Sequence, residues 1–422
     1  MNEKIETLLF LGELLMRSGA AAERIRRDLM RAAVAFDIPE ENVILHITYM
    51  TLMLNVKTEE KSYTAFRKCP IHGVNMTVID ALSKLTWVAI KEKLPLTTFK
   101  SALERIERDA AHPMRNWEVI AAGLTCGGVC KVFGCDWTAL VITAIAASIG
   151  CAFKNLLGKY KYNNFATTTI AAFIATAFAL VLPNFVATDT PAYPMIAATL
   201  FLIPGVQFIH SVDDLLNNFI MTGTARLIHA ILIVGSMTFG ITLALAFFNV
   251  QDFTKISITP ESLYLSQTLG AAIAGAGYAS IFRVPKRLIP LIAIGGIIAV
   301  DARNIILVQF GGGLALATLI GASILGVIAQ KANQWFKTPS TVFTIASAIT
   351  LMPGVLIYRM LFSVQNITTI ETDLLMTGIR SGVEAGIVVI AIAVAVTIPT
   401  ILFRPILEEL RNREIFLKKK AI

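Results

Sequence analysis

The sequence predicts an α-helical integral membrane protein, in which ten transmembrane helices form two inverted repeats of five behind a small α+β cytoplasmic domain. Three observations lead to this fold class. The chain has 422 residues, of which 55% are hydrophobic and only 16% are charged, a balance that an ordinary soluble protein of this size does not reach. Long apolar runs fill the chain after residue 114. Residues 202–206, Leu-Ile-Pro-Gly-Val, recur 149 positions later as Leu-Met-Pro-Gly-Val at 351–355.

The segment 1–114 differs from the rest, because its charges are dense and its apolar residues are spaced as on amphipathic helices and alternating strands. It predicts a cytoplasmic α+β domain. Its predicted elements are helices over 5–36 with an interruption near Gly19, strands over 43–49 and 51–56, and helices over 74–92 and 96–111.

No signal peptide is predicted, because the first apolar stretch contains Glu13 and lacks a small-residue cleavage site. The N-terminus is therefore expected in the cytoplasm. The domain shows no phosphate loop, metal-ligand cluster or nucleophile with its base. We therefore predict neither an enzyme nor ATP-driven transport, and no cofactor.

A membrane crossing needs about 20 mostly apolar residues. Ten such runs follow residue 114, five in a first module, 115–250, and five in a second, 258–405, with a basic tail at 406–422. The predicted spans are 117–135, 137–155, 163–183, 193–213, 226–249, 262–282, 288–308, 311–330, 340–361 and 382–403.

Basic residues gather after the even-numbered spans and in the tail, whereas acids dominate the connections at 184–192, 250–261 and 362–379. The positive-inside rule then places both termini in the cytoplasm of a cell (inner) membrane protein. Because five is an odd number, the second module must enter the bilayer from the opposite side to the first. The repeats are therefore predicted to be inverted.

Each module carries one Pro-Gly pair inside a span, Pro204-Gly205 and Pro353-Gly354. Proline removes a backbone donor and glycine loosens the same turn, so the pair predicts a broken helix, with a simple kink as the alternative. Broken helices at corresponding places in two halves are typical of a transporter's binding site. We expect the two breaks to meet near the midplane and to form a backbone cradle for a solute.

A second pattern follows each break: Met-Thr-Gly, then an arginine, then an ionisable residue seven positions past the threonine. The arginines are candidates for a solute carboxylate, and the ionisable residues, expected to face the interior, for ammonium or protons. The alternative is a histidine that bonds a neighbouring helix and a glutamate at the outer interface. The residues are Thr222, Arg226 and His229 in the first half, and Thr377, Arg380 and Glu384 in the second.

Asp301 and Arg303 interrupt the seventh span. Being two residues apart, they point to different faces of a helix, so a mutual ion pair is not expected. In one interpretation Arg303 binds a solute carboxylate and Asp301 an ammonium group or a proton. In the other, the helix ends at about residue 300 and both lie at the water interface.

The five cysteines predict no disulfide framework. Cys126 and Cys130 lie four apart with Cys135 and Cys151 beyond, which would suit a thiolate metal site, but small-residue packing is the favoured interpretation and no metal is predicted. Cys69-Pro-Ile-His72 resembles one half of a zinc site, but the sequence offers no second pair of ligands, so no zinc site is predicted there. The net charge is +8, but the excess lysine and arginine residues lie beside apolar spans, so nucleic acid is not a predicted partner.

Nearly the whole chain resembles the threonine/serine exporter family. The run from Gly12 to Arg24 resembles the family's first cytoplasmic helix, the run from Gly123 its glycine-rich first span, and 202–206 its Pro-Gly signature. Residues 282–285 and 352–359 resemble the companion five-span module. The resemblance implies proton-driven export of small amino acids such as threonine and serine, while split relatives are linked to succinate.

The sequence thus predicts a secondary active exporter of a small carboxylate-bearing solute. A dicarboxylate exporter is the alternative within the same class. A passive channel or a membrane receptor is the alternative outside it. The oligomeric state stays open, a homo-oligomer included.

Overall fold

The computed structural model describes residues 1–69, 73–110, 115–250, 265–336, 338–368 and 370–420; side chains at 115 and beyond 399 are outside the description. Three predicted features therefore lie outside the described residues. They are His72 of the half zinc site, the connection from 251 onward, and the side chains of the basic tail.

The N-terminal segment forms the predicted helices and strands, and one strand more. Gly19 has a φ of +82° and separates the first two helices, as expected for a residue without a side chain. The third strand was not predicted, because its residues alternate only between half-buried and exposed. The elements are α1 (Asn2–Arg17), α2 (Ala22–Ala35), β1 (Val43–Ile47), β2 (Thr51–Lys57), β3 (Ser62–Lys68), α3 (Met76–Glu92) and α4 (Leu96–Ala110).

The three strands form one antiparallel sheet in the order β1-β2-β3. Leu54 of the central strand pairs with Leu45 and Ala65. Leu52 and Leu54 are buried on the face covered by α1, where Gly12 lies against Leu52 so closely that a larger residue would displace it. This close approach holds the first helix on the sheet.

Apolar helices make up the rest of the chain. Among the described residues, six helices are long and apolar enough to cross a membrane, or eight if each bent pair counts as one span, which confirms a membrane protein. The helices are α5 (Arg115–Val132), α6 (Trp137–Lys159), α7 (Asn164–Val181), α8 (Ala192–Ala197), α9 (Gly205–Leu216), α10 (Ile220–Phe247), α11 (Leu265–Ile281), α12 (Ile289–Gln309), α13 (Leu314–Phe336), α14 (Ser340–Ala348), α15 (Gly354–Gln365) and α16 (Thr372–Lys420).

Helices α5 and α11 account for the difference from ten spans. The α11 helix is 17 residues long within the described residues, which is at the lower limit for a crossing. The α5 helix carries Arg115, Glu118 and Lys131. Length and apolarity alone therefore do not assign these two helices to the bilayer.

Both Pro-Gly pairs break a helix, as predicted. The chain bends by 55° between α8 and α9 and by 55° between α14 and α15. Pro204 (φ −79°, ψ 55°) and Pro353 (φ −81°, ψ 52°) each occupy the centre of an inverse γ-turn. In these turns the N–H of Gly205 donates to the carbonyl of Ile203 at 2.8 Å, and that of Gly354 to Met352 at 2.9 Å. Since helix is absent on the turn itself, the simple kink is excluded.

The two modules also contact each other reciprocally. Where α5 crosses α11, Gly128 lies against Ala274, and Gly277 lies against Thr125. Residues 128 and 277 are 149 positions apart, and so are 125 and 274. Contacts that exchange equivalent residues in this way are typical of two-fold symmetry.

The seventh predicted span continues past Arg303, since α12 extends to Gln309. The second of the two interpretations, in which this helix ends at about residue 300, was therefore wrong. Arg303 is 7% exposed. Asn304 accepts hydrogen bonds from its side chain, and Gln267 in turn accepts one from Asn304, so the helix can carry a charge without ending.

The N-terminal segment packs against one end of the helical body. The N–H groups of Met76 and Thr77 donate to the carbonyls of Phe282 and Arg283 at 2.9 and 3.0 Å, so the end of α11 caps the start of α3. From α2, Arg24 donates to the hydroxyl of Thr341 at the start of α14, at 3.3 Å.

Candidate functional site

A cavity of about 30 Å³ lies beside the second break. Arg303 lines it from α12, and Pro353 to Leu356 line it from the break. Phe133, Leu307 and Leu314 make most of the remaining wall apolar. The volume is enough for about two water molecules, so a larger solute enters only after a change of conformation.

Arg303 is held by a neutral partner. Its Nε and Nη2 donate to Oδ1 of Asn304 at 3.1 and 2.9 Å, and Nδ2 of Asn304 donates to Oε1 of Gln267 at 3.3 Å. Among the described residues, no carboxylate lies within 4 Å of its guanidinium. Two of five N–H donors are used, so three remain for a ligand.

Further backbone donors lie at the start of α15, which lines the same cavity. Val355 and Leu356 both line it, and within the described part of the chain no acceptor bonds their backbone N–H groups. These N–H groups belong to the first turn of a helix, where the macrodipole is positive. Arg303 and the helix start together are suited to binding a carboxylate.

Asp301 lies on a different face of α12 from Arg303. It is half-buried, and the hydroxyl of Thr268 on α11 bonds both its carboxylate oxygens, at 3.0 and 3.1 Å. No ion pair joins the two residues, as the spacing predicted. Asp301 is therefore a separate acidic group near the cationic cavity.

The two breaks lie directly against each other. Gly205 packs on Ile349 and Met352, and Gly354 packs on Leu200 and Ile203. Positions 200 and 349, and positions 203 and 352, are equivalent in the two modules, so this contact is reciprocal as well. The expectation that the two breaks meet is confirmed.

The candidates of the first Met-Thr-Gly pattern bind the N-terminal segment. The hydroxyl of Thr222 donates to the carbonyl of Ile47 at 2.7 Å, and His229 lies 3.2 Å from the hydroxyl of Tyr49. Nδ1 of His229 also lies 3.1 Å from Oε1 of Gln207. The structure therefore brings these two candidates to β1 and the turn after it, away from the cavity at Arg303.

Arg226 is paired with an acid. Its Nε lies 3.2 Å from Oδ2 of Asp214, and both side chains are almost fully buried. Its Nη2 donates to the carbonyl of Ala20 at 3.3 Å, while Oδ1 of Asp214 accepts the N–H of Ala22 at 2.8 Å. The pair thus caps the start of α2. Because Arg226 already has a carboxylate partner, we do not include it among the residues that would bind a solute carboxylate.

The candidates of the second pattern are exposed. Thr377, Arg380 and Glu384 all lie on the outer face of α16 in the isolated chain. The expectation that Glu384 faces the interior was wrong. The Glu384 side chain is exposed, although Ser381 and Val388, three positions before and four positions after it, are buried.

Sequence reasoning missed Asn304 and Gln267, which hold Arg303 in place. They could have been found in the sequence as polar side chains within apolar runs, because a buried charge needs polar partners.

Comparison with protein families gives two matches. A family model for threonine/serine exporters matches residues 6–248, and a second, described as Threonine/Serine exporter, ThrE, matches residues 267–402. The chain belongs to the threonine/serine exporter family. The predicted resemblance is confirmed.

Curated relatives carry two different names. The chain is 26% identical over 248 residues to the "Probable succinate transporter subunit YjjP" of Escherichia coli (strain K12), covering 57% of this chain and 93% of that protein. It is 20% identical over 371 residues to the "Probable threonine/serine exporter" of Mycobacterium tuberculosis, covering 85% and 69%. It is 21% identical over 370 residues to the "Threonine/serine exporter" of Corynebacterium glutamicum, covering 85% and 75%. No solved structure matches.

Proposed function

We propose that this protein is a secondary active exporter of small amino acids such as threonine and serine, driven by the proton gradient. The observation that carries the proposal is Arg303, a buried guanidinium with three unused donors beside a broken helix. A buried charge without a carboxylate in contact is costly, which favours a ligand that supplies the opposite charge. Family membership supports export as the process.

A zwitterionic amino acid suits the two helix ends at the second break, which are the end of α14 and the start of α15. Its carboxylate would bind Arg303 and the N–H groups of Val355 and Leu356. Its ammonium group would lie at the carbonyls where α14 and the short turn after it end, since the C-terminal end of a half-helix is negative. Among the residues described as lining the cavity no carboxylate side chain is present, so backbone groups would recognise the ammonium.

The proposed architecture is ten spans in two inverted repeats, with α5 and α11 among them. The reciprocal contacts at Gly128 and Gly277, and at Gly205 and Gly354, support it. The hydrogen bonds described above between the N-terminal segment and the helical body also support it, because they involve helix ends that the positive-inside rule assigns to the cytoplasm. Both termini would then be cytoplasmic, in the inner membrane.

Asp301 is the group that we propose for proton coupling. It is half-buried, has a hydroxyl rather than a cation as its partner, and lies on the helix that carries Arg303. Protonation would change its charge next to the solute site.

Succinate export is the second candidate. The names of the YjjP relatives favour it, because they are given to proteins that match 57% of this chain at 25% to 26% identity. A dicarboxylate would need a second cation instead of the carbonyls. A passive channel or a receptor remains the alternative from another class.

Transport into inverted membrane vesicles tests the proposal, because their outer face is the cytoplasmic one. We expect concentrative uptake of labelled threonine or serine when the vesicle interior is acidic, and loss of accumulation when the pH gradient is abolished. Saturation by succinate alone would favour the second candidate. Equilibration of solute without any gradient would indicate a channel.

The matched variants are Arg303→Gln and Arg380→Gln. Loss of a charge-assisted, buried contact costs about 1.5–3 kcal/mol, so Arg303→Gln should lower kcat/KM by roughly 10- to 100-fold. The exposed Arg380 should tolerate the same change. Equal activity of the two variants would remove Arg303 from the site.

A further inference from the structure

A second cavity, of about 650 Å³, lies between the N-terminal segment and the helical body. Leu14, Arg17 and Asn75 line it on one side, and Lys154, Asn155 and Phe201 on the other. Its volume is in the range of small-molecule sites. Phe201 is three residues before Pro204, so the cavity reaches the segment that leads into the first break.

The cavity has a positive lining. Its two acids are already paired: Glu107 lies 3.0 Å from Arg17, and Glu118 lies 2.6 Å from Arg283. In the described part of the chain, Lys154 has no carboxylate within 4 Å. An uncompensated ammonium group in a half-enclosed cavity favours an anionic ligand.

Lys154 and Asn155 occupy the positions in the first module that Arg303 and Asn304 occupy in the second, 149 residues later. Helices α6 and α12, which carry the two pairs, correspond at the same offset. Glu118 likewise corresponds to Gln267. The cation followed by asparagine is thus duplicated, although Asn155 bonds the Sγ atom of Cys151 at 3.9 Å, whereas Asn304 bonds its arginine.

We propose that Lys154 forms a second carboxylate-binding site, the repeat counterpart of Arg303, which receives the solute from the cytoplasm before it reaches the breaks. The inference rests on the proposed function. The cavity at Lys154 has a volume of about 650 Å³, whereas the cavity at Arg303 has about 30 Å³. In this conformation the larger cavity, beside the N-terminal segment, is therefore the open one. That segment then forms one wall of the entrance.

The test compares Lys154→Gln, Lys154→Arg and Lys159→Gln in the full-length protein. Lys159 is exposed at the end of the same helix and does not line the cavity. In inverted vesicles, Lys154→Gln should raise KM about tenfold and leave kcat within a factor of two, because one charged contact is lost only in binding. Lys154→Arg should recover most of the affinity, and Lys159→Gln should match the parent.

Binding measurements separate failure of this inference from failure of the proposed function. Succinate, threonine and acetate, each against chloride, are added to the purified protein, and the thermal shift is followed. A carboxylate-dependent shift that Lys154→Gln loses would support the site even if no solute is transported. A parental KM and an unchanged shift in Lys154→Gln, or no shift with any carboxylate, would overturn it.

Discussion

Asp214 and Arg226 form a buried ion pair, with Oδ2 and Nε 3.2 Å apart, at the point where the N-terminal segment meets the helical body. Each partner also bonds the backbone at the start of α2, through Ala22 and Ala20. The pair joins α9, α10 and α2. Because α9 begins at the first Pro-Gly break, the pair links this break to the N-terminal segment.

Removal of one partner should therefore be more harmful than removal of both. Asp214→Ala leaves Arg226 buried without its counter-ion, which typically costs about 3–5 kcal/mol. We expect a lower unfolding temperature in detergent, and partial recovery in the double variant Asp214→Ala/Arg226→Ala. Asp109→Ala, an exposed acid of α4, serves as the control. Additive losses in the double variant would show that the two residues are not coupled.

A side chain at either break glycine would have to displace an isoleucine side chain of the opposite module. A Cβ atom at Gly354 would overlap Cδ1 of Ile203. Gly354→Leu is predicted to insert normally but to lose transport, and Gly354→Ala should reduce it. Ile203→Ala should rescue Gly354→Ala, because it removes the overlapping atom. Transport by Gly354→Leu at the parental rate would exclude the break from the solute route.

Proton coupling should depend on Asp301 and be independent of Glu384. Asparagine cannot carry a proton, so Asp301→Asn should keep equilibrative flux in inverted vesicles while losing accumulation driven by the pH gradient. Glu384→Gln, at an exposed position of α16, should accumulate solute as the parent does. If Asp301→Asn concentrates solute fully, the coupling group lies elsewhere.

Cys69 should react slowly with thiol reagents. Burial raises the pKa of this thiol to about 11, with a smaller contribution from the nearby Glu13. At pH 8 about one thiol in a thousand is then ionised, and the rate should rise about tenfold per pH unit up to pH 10. Alkylation resolved by peptide mass spectrometry measures this, with Lys61→Cys in the exposed turn as the reference. Equal rates at the two sites would show that Cys69 is accessible.

Local signals in the chain explain why so much of the fold was predictable. Helical spacing and Gly19 placed α1 and α2, and the Pro-Gly pairs placed both breaks, because these residues act through their own backbone. The third strand was missed because an edge strand has only a weak alternation. The correspondence between Lys154-Asn155 and Arg303-Asn304 was present in the sequence. Lys154 was counted there only among the basic residues whose charge sets the orientation of the spans.

The sequence by itself determined the membrane class, the duplicated Pro-Gly breaks and the family, since composition, periodicity and short motifs are local properties. Only the tertiary structure decided which charges face a cavity. Arg226, Arg303 and Arg380 looked alike as arginines in or near spans, yet one is paired with Asp214, one lines a cavity and one is exposed. The physical reason is that the cost of a charge depends on the partners that packing brings within a few ångströms.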